Sequence, residues 1–164
     1  MMAPALVGTL LLACAGCHHR QGSTAFSAGP QADSIVDGTV SVTGTGFEQE
    51  IMLGRGSGEL PLRLVATPGD SAALLHVAGL EIAARGEITG RTMRLRSFTA
   101  IRAGSLPVED GILRLDGDHL ILETAAGRLR LGNPPSALWQ LVGARVWVSG
   151  PLDTGPNSYG VISR

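Results

Sequence analysis

Residues 133–150 read NPPSALWQLVGARVWVSG, and a change of period inside this stretch decides the fold. Asn133 is suited to cap a helix, because its side-chain oxygen accepts from an amide that the first turn leaves unpaired. Pro134 then stands at the first helical position, where its missing N–H costs nothing. Leu138, Leu141 and Val142 fall at i, i+3 and i+4 and make one apolar stripe. Gly143 is placed to take the left-handed conformation that ends such a helix. After it, Ala144, Val146 and Val148 alternate with Arg145, Trp147 and Ser149, so the period drops to 2 and the chain becomes a strand.

The first half carries the same phrase 64 residues earlier. Ala73 and Leu74 match Ala137 and Leu138, Gly79 and Gly86 match Gly143 and Gly150, and Ile82 and Ala84 stand for Val146 and Val148. Thr67-Pro68 precedes this helix as Asn133-Pro134 precedes the other. Agreement in phase of the helix, both glycines and the alternation reads as an internal duplication.

Upstream of each helix lie three short alternating segments. In the first half they carry Val40 and Val42, then Ile51 and Leu53, then Leu60, Leu62 and Leu64. A fourth strand at 80–88 and a fifth from Arg91 through Met93 and Leu95 to Ile101 follow the helix. In the second half Ile112–Leu115 meets the hairpin signal Asp116-Gly117. His119–Thr124 and Arg128–Leu131 come next, and the last strand is Tyr159–Ser163. The expected core is Val40, Val42, Leu62, Leu64, Leu74 and Ile82 in one half. In the other it is Leu113, Leu115, Leu129, Leu131, Leu138, Val146 and Val148. Each half thus orders three strands, a helix and two strands.

Composition agrees. Of 164 residues 44% are apolar and only 4% aromatic, and 23 Gly with 9 Pro supply the turns of an all-β chain. The net charge of −1 gives no electrostatic case for nucleic acid. All 13 basic residues are Arg, which excludes chemistry that needs a lysine.

The N-terminus has a different character. Residues 1–13 form an apolar run too short to span a bilayer, with no basic residue before it. Leu11-Leu12-Ala13-Cys14 resembles the lipobox of bacterial lipoproteins, which implies export and lipidation of Cys14. Ala15-Gly16-Cys17 offers Cys17 as the alternative. Residues 14–33, polar and rich in Gly, Ser and Ala, read as a tether. Cys14-Ala15-Gly16-Cys17-His18 also spells the c-type haem attachment pattern. With no room for signal cleavage before Cys14, and strands rather than helices behind it, haem ranks third. His18 and His19 could bind a stray metal with Cys17, but adjacent histidines in a tail are more often simply solvated.

Three strands, helix, two strands is the order of the OB-fold. GARVWVSGPLD followed by YGVIS resembles the end of small bacterial exported OB-like domains. The expected fold is therefore all-β with short helices, as two tandem five-stranded OB-like barrels over 34–108 and 109–164. The resemblance implies fold and export only, since those domains carry no agreed catalytic residues.

No Ser/His/Asp or Cys/His set has a credible context, and no cofactor or metal is implied. Gly54-Arg55-Gly56-Ser57-Gly58 lacks the Lys of a phosphate loop and reads as a hairpin connection. His76 sits on the polar side of its helix, and Asp116 and Asp118 read as a turn. The strand faces that OB-folds use for ligands offer Ile51, Met52, Leu53 and Leu62 in one half, and His119, Ile121, Arg128 and Arg130 in the other; none is aromatic. Arg91, Arg94, Arg96 and Arg102 read first as a solvated strand face. Arg94, Arg96 and Trp147 are the candidate partner face, although Trp147 is also placed to pack between the two halves. The expected function is a lipid-anchored binding or structural module facing the periplasm, without evident catalysis. Its partner would be an envelope protein or a small anionic ligand. An enzyme of unrecognised type is the alternative.

Overall fold

The computed structural model describes residues 33–164, which belong to one compact unit. They form two sheets with few helices. The first is built from β1 (Ser34–Thr43), β2 (Glu50–Gly54), β3 (Leu62–Val65), β4 (Glu81–Thr89), β5 (Thr92–Ala103) and the short β6 (Leu106–Pro107), with α1 (Pro68–His76) between β3 and β4. The second contains β7 (Glu109–Asp116), β8 (His119–Thr124), β9 (Gly127–Arg130), β10 (Arg145–Ser149) and β11 (Ser158–Ser163), with α2 (Ser136–Trp139) between β9 and β10. The expected signal run and the expected tether up to residue 32, with Cys14, Cys17, His18 and His19, lie outside the described residues.

The first sheet runs β3-β2-β1-β4-β5-β6 and closes on itself, because β3 also pairs in parallel with β5 through Leu64 and Met93. The second runs β11-β10-β7-β8-β9, the same order, and stays open. The reason lies in the last strand. β5 has 12 residues, and its first three make the closing pair. β11 has six, and the segment before it holds Pro156, which has no N–H to give a ladder. One hydrogen bond, from Gly132 N–H to Leu152 O (2.7 Å), joins the loop after β9 to the loop before β11.

Inside each sheet the same local geometry recurs. Gly79 N–H donates to Val40 O and Val40 N–H to Leu80 O (2.8 and 2.9 Å). Gly143 N–H donates to Leu113 O and Leu113 N–H to Ala144 O (2.8 and 3.0 Å). Gly79 and Gly143 have φ of +88° and +92°, the left-handed conformation expected of both. They close the turns that follow the helices rather than the helices themselves, which end at His76 and Trp139. Leu141 and the exposed Val142 therefore fall in the second of these turns and not on a helical stripe. Both fourth strands meet their fifth with a register shift at the same place, between Glu81 and Ile82 and between Arg145 and Val146. Bulges of this kind let a short sheet bend.

The closed sheet wraps a core of Val40, Leu53, Leu62, Leu74, Ile82 and Met93, and the open one a core of Leu113, Leu120, Leu122, Leu138, Val146 and Val148. Of the expected core, Val42 and Leu129 are only half-buried. Leu129 sits on β9, the free edge, where a closing neighbour is missing; Leu62, in the matching place on β3, has one and is buried.

Several expectations need correction. Leu115 is 56% exposed rather than buried. It sits beside the hairpin tip, past the end of the core. Leu60 precedes β3 and is exposed. Asn133 does not cap α2: it has φ +35°, and the helix begins only at Ser136. The cause is the pair Pro134-Pro135, since a residue before proline is kept out of the helical region. The first helix has no such obstacle and starts at Pro68, two residues before the expected span of about 70–78, with Thr67 Oγ1 accepting from Asp70 N–H (3.2 Å). The β7–β8 loop is Gly117-Asp118 rather than Asp116-Gly117, with positive φ at Gly117 alone, as a type II′ turn requires.

Candidate functional site

Two places gather polar side chains by design of the fold. The first is a groove on the closed sheet. After β1, Gly44 takes φ +85° so that the chain can fold back tightly against the Glu48 carbonyl. This turn sets Glu48 and Gln49 beside Thr43, opposite Glu50 and Arg63 on the paired strands β2 and β3. The hollow they line measures about 510 Å³. Arg63 and Glu50 meet at 3.4 Å, both half-exposed, so the pair is loose and available to a partner. The groove continues as a further hollow of about 320 Å³ along β3 to α1, where Ile51, Val65 and Leu75 make an apolar wall. Val65 and Leu75 are exposed there. Two carboxylates, an amide and one guanidinium beside an apolar wall suit contact with a polypeptide; the excess of acid disfavours an anion. Ile51, Leu53 and Leu62 from the expected strand face are core residues instead, and Met52 is half-buried.

The second is the junction between the sheets. Asp110 on β7 is buried, its side chain 2% exposed, and it receives Arg145 Nε on Oδ1 (2.8 Å) and Arg145 Nη2 on Oδ2 (2.7 Å). The same carboxylate accepts Ala100 N–H from the free edge of β5 (2.8 Å), and Arg145 Nη2 donates to Phe98 O (2.6 Å). The guanidinium also lies over the Phe98 ring, 4.6 Å from its centre. Trp147 is half-buried against the first sheet's core, with its indole against Gly160 of β11. Ile162 of β11 joins that same core. His76 Nδ1 lies 3.1 Å from Ile162 O, which fastens α1 to β11. Sequence reading missed Asp110 and Arg145 as a pair. The only trace was that Asp-Gly occurs in the first strand of both halves, at Asp37-Gly38 and Asp110-Gly111.

The arginines of β5 are exposed and find acidic neighbours. Arg96 meets Asp33 at 2.7 Å, Arg102 meets Glu81 at 3.9 Å, and Arg94 faces Glu87 across the ladder. In the second sheet Arg114 pairs with Glu123 at 3.1 Å, Arg128 with Asp116 at 3.4 Å, and Arg130 Nη2 reaches His119 Nδ1 at 3.1 Å. The fold does not bring Arg94 and Arg96 together with Trp147, which serves the junction. Among the described residues every buried side-chain nitrogen and oxygen has a hydrogen-bond partner, and no three His, Cys, Asp or Glu could hold a metal ion. No described helix is long and apolar enough to cross a membrane. The chain matches no model of a protein family, no curated protein and no solved structure.

Proposed function

We propose that the protein is an exported, lipid-anchored module of the cell envelope that binds or scaffolds an envelope protein on the periplasmic side. The anchor reading rests on Leu11-Leu12-Ala13-Cys14, with Cys17 as the alternative lipid site. The module is read as two OB-like units arisen by duplication, 34–108 and 109–164. Supporting this are the ring order β1-β2-β3-β5-β4, the parallel β3–β5 pair, the helix between third and fourth strands, and the same strand order in the open sheet.

The observation that carries the binding reading is the groove from Thr43 to Leu75. It lies on the β2–β3 side of the ring, at the turn after the first strand, where OB-folds meet their ligands. Its own ion pair is exposed, whereas the polar groups of the junction are consumed internally. Acidic neighbours along β5 favour a protein partner over a small anion. A photo-reactive residue at Gln49, in native membranes, is expected to give one discrete protein adduct that Glu50→Arg abolishes. The same residue at Asp118, on the remote hairpin tip, is the control. Identical adducts from both positions, or none from Gln49, overturn the proposal.

A further inference from the structure

The registers of the two sheets match position for position. Gly38 pairs with Ile82 as Gly111 pairs with Val146, and Asp37 pairs with Ala83 as Asp110 pairs with Trp147. The junction face of the second sheet (Val108, Asp110, Arg145, Trp147) therefore corresponds to Ile35, Asp37, Glu81 and Ala83 on the first. In the second sheet this face is covered, and Val108 is 9% exposed. In the first it is open. Ile35 is 70% exposed, and among the described residues Asp37 makes no side-chain bond and Glu81 holds only the loose 3.9 Å contact with Arg102.

The junction shows what such a face docks on. It takes a strand edge, with the aspartate receiving one N–H and its neighbour donating to the carbonyl two residues earlier. On the first sheet Asp37 keeps the acceptor. Position 81 has reversed charge: Glu81 cannot donate to a carbonyl and must itself receive. The edge that fits therefore carries an arginine. Among the described strands one edge meets both conditions. β9 ends the open sheet with no further neighbour, and it reads Gly-Arg-Leu-Arg. Leu131 N–H donates to Leu120 O, so alternation turns the N–H of Arg130 and the C=O of Arg128 outward, free of β8. The arginines repel an identical edge and so steer β9 away from edge-to-edge pairing, while attracting an acidic face.

We infer that the Ile35–Asp37–Glu81 face of one molecule receives the β9 edge of a second copy, repeating between molecules the docking that joins the two sheets within one. Such an interface is head-to-tail, so it propagates into rows or closes into a ring. The inference rests on the matched registers and stands apart from the anchor and from the groove, which lies at the opposite end of β1 and along β2, β3 and α1.

Sedimentation velocity of the full-length chain in density-matched detergent tests it. Mass is expected to grow with protein concentration and to fall with salt. Glu81→Arg alone, and Arg128→Glu with Arg130→Glu, are each expected to weaken association at least tenfold with circular dichroism unchanged. Mixing the two variants is expected to restore association, because the intact edge of one meets the intact face of the other. A wild-type chain that stays monomeric throughout, association that neither variant changes, or a mixture that stays monomeric overturns the inference.

Discussion

Arg145→Met tests what holds the two sheets together. The substitution keeps an unbranched apolar stem and removes the three charge-assisted bonds of Arg145, two to Asp110 and one to Phe98 O, with the stacking on Phe98. Asp110 then keeps only the Ala100 N–H, and at 2% exposure water cannot reach it unless the junction opens. Removing one member of a buried pair costs about 3–5 kcal/mol, chiefly from the stranded charge. The lower half of that range applies, since Arg145 is itself 27% exposed. About 3–4 kcal/mol is a large share of a stability of roughly 5–15 kcal/mol. For a domain of this size it lowers Tm by roughly 10–20 °C. Urea unfolding followed by tryptophan emission reads the change at its source, because Trp147 packs at the junction. Asp110→Asn combined with Arg145→Met is expected to cost less than the two single losses added, since no charge is left unpaired. A single-variant loss below about 1 kcal/mol would refute the claim that this pair locks the sheets.

Three further outcomes follow from the same geometry. Gly79→Ala and Gly143→Ala are each expected to cost about 1 kcal/mol, and Val more, purely from backbone strain, because an added Cβ meets nothing within 4 Å at either site; equal stability in urea would contradict the left-handed assignment. Leu113→Ala is expected to lose roughly 2–5 kcal/mol, whereas Leu115→Ala, two residues on but exposed, should stay within about 0.5 kcal/mol; equal losses would place the core's end wrongly. Gly111→Ala is expected to exceed both glycine-to-alanine losses above, because its Cβ would stand 2.5 Å from Glu123 O; a loss under about 1 kcal/mol in thermal unfolding would show that β7 and β8 lie further apart.

Much of the chain's order was legible because it is local. A helix followed by a turn at Gly79 or Gly143 and then by alternation announces itself by period, and the glycines after β2 and at Gly117 announce turns. What was not legible depends on partners far along the chain. Asp110 and Arg145 are 35 residues apart, and each alone reads as an ordinary charged residue in an alternating strand. Closure of one ring and not the other is decided by the length of the fifth strand, through a proline that looks like any loop residue. The α2 start was misread because Pro134 fits a first helical turn until Pro135 is weighed with it. The groove was missed because Glu48, Glu50 and Arg63 are drawn together by a turn whose tightness depends on Gly44, one glycine among 23.

The proposed function turns on an exported chain tethered by lipid, and mass spectrometry of the protein taken from native-host membranes tests that most directly. A mature chain beginning at Cys14, or at Cys17, and carrying acyl chains is expected, and Cys14→Ala combined with Cys17→Ala is expected to free the protein from the membrane fraction. A chain that retains Met1 and an unmodified Cys14 and Cys17 would contradict it.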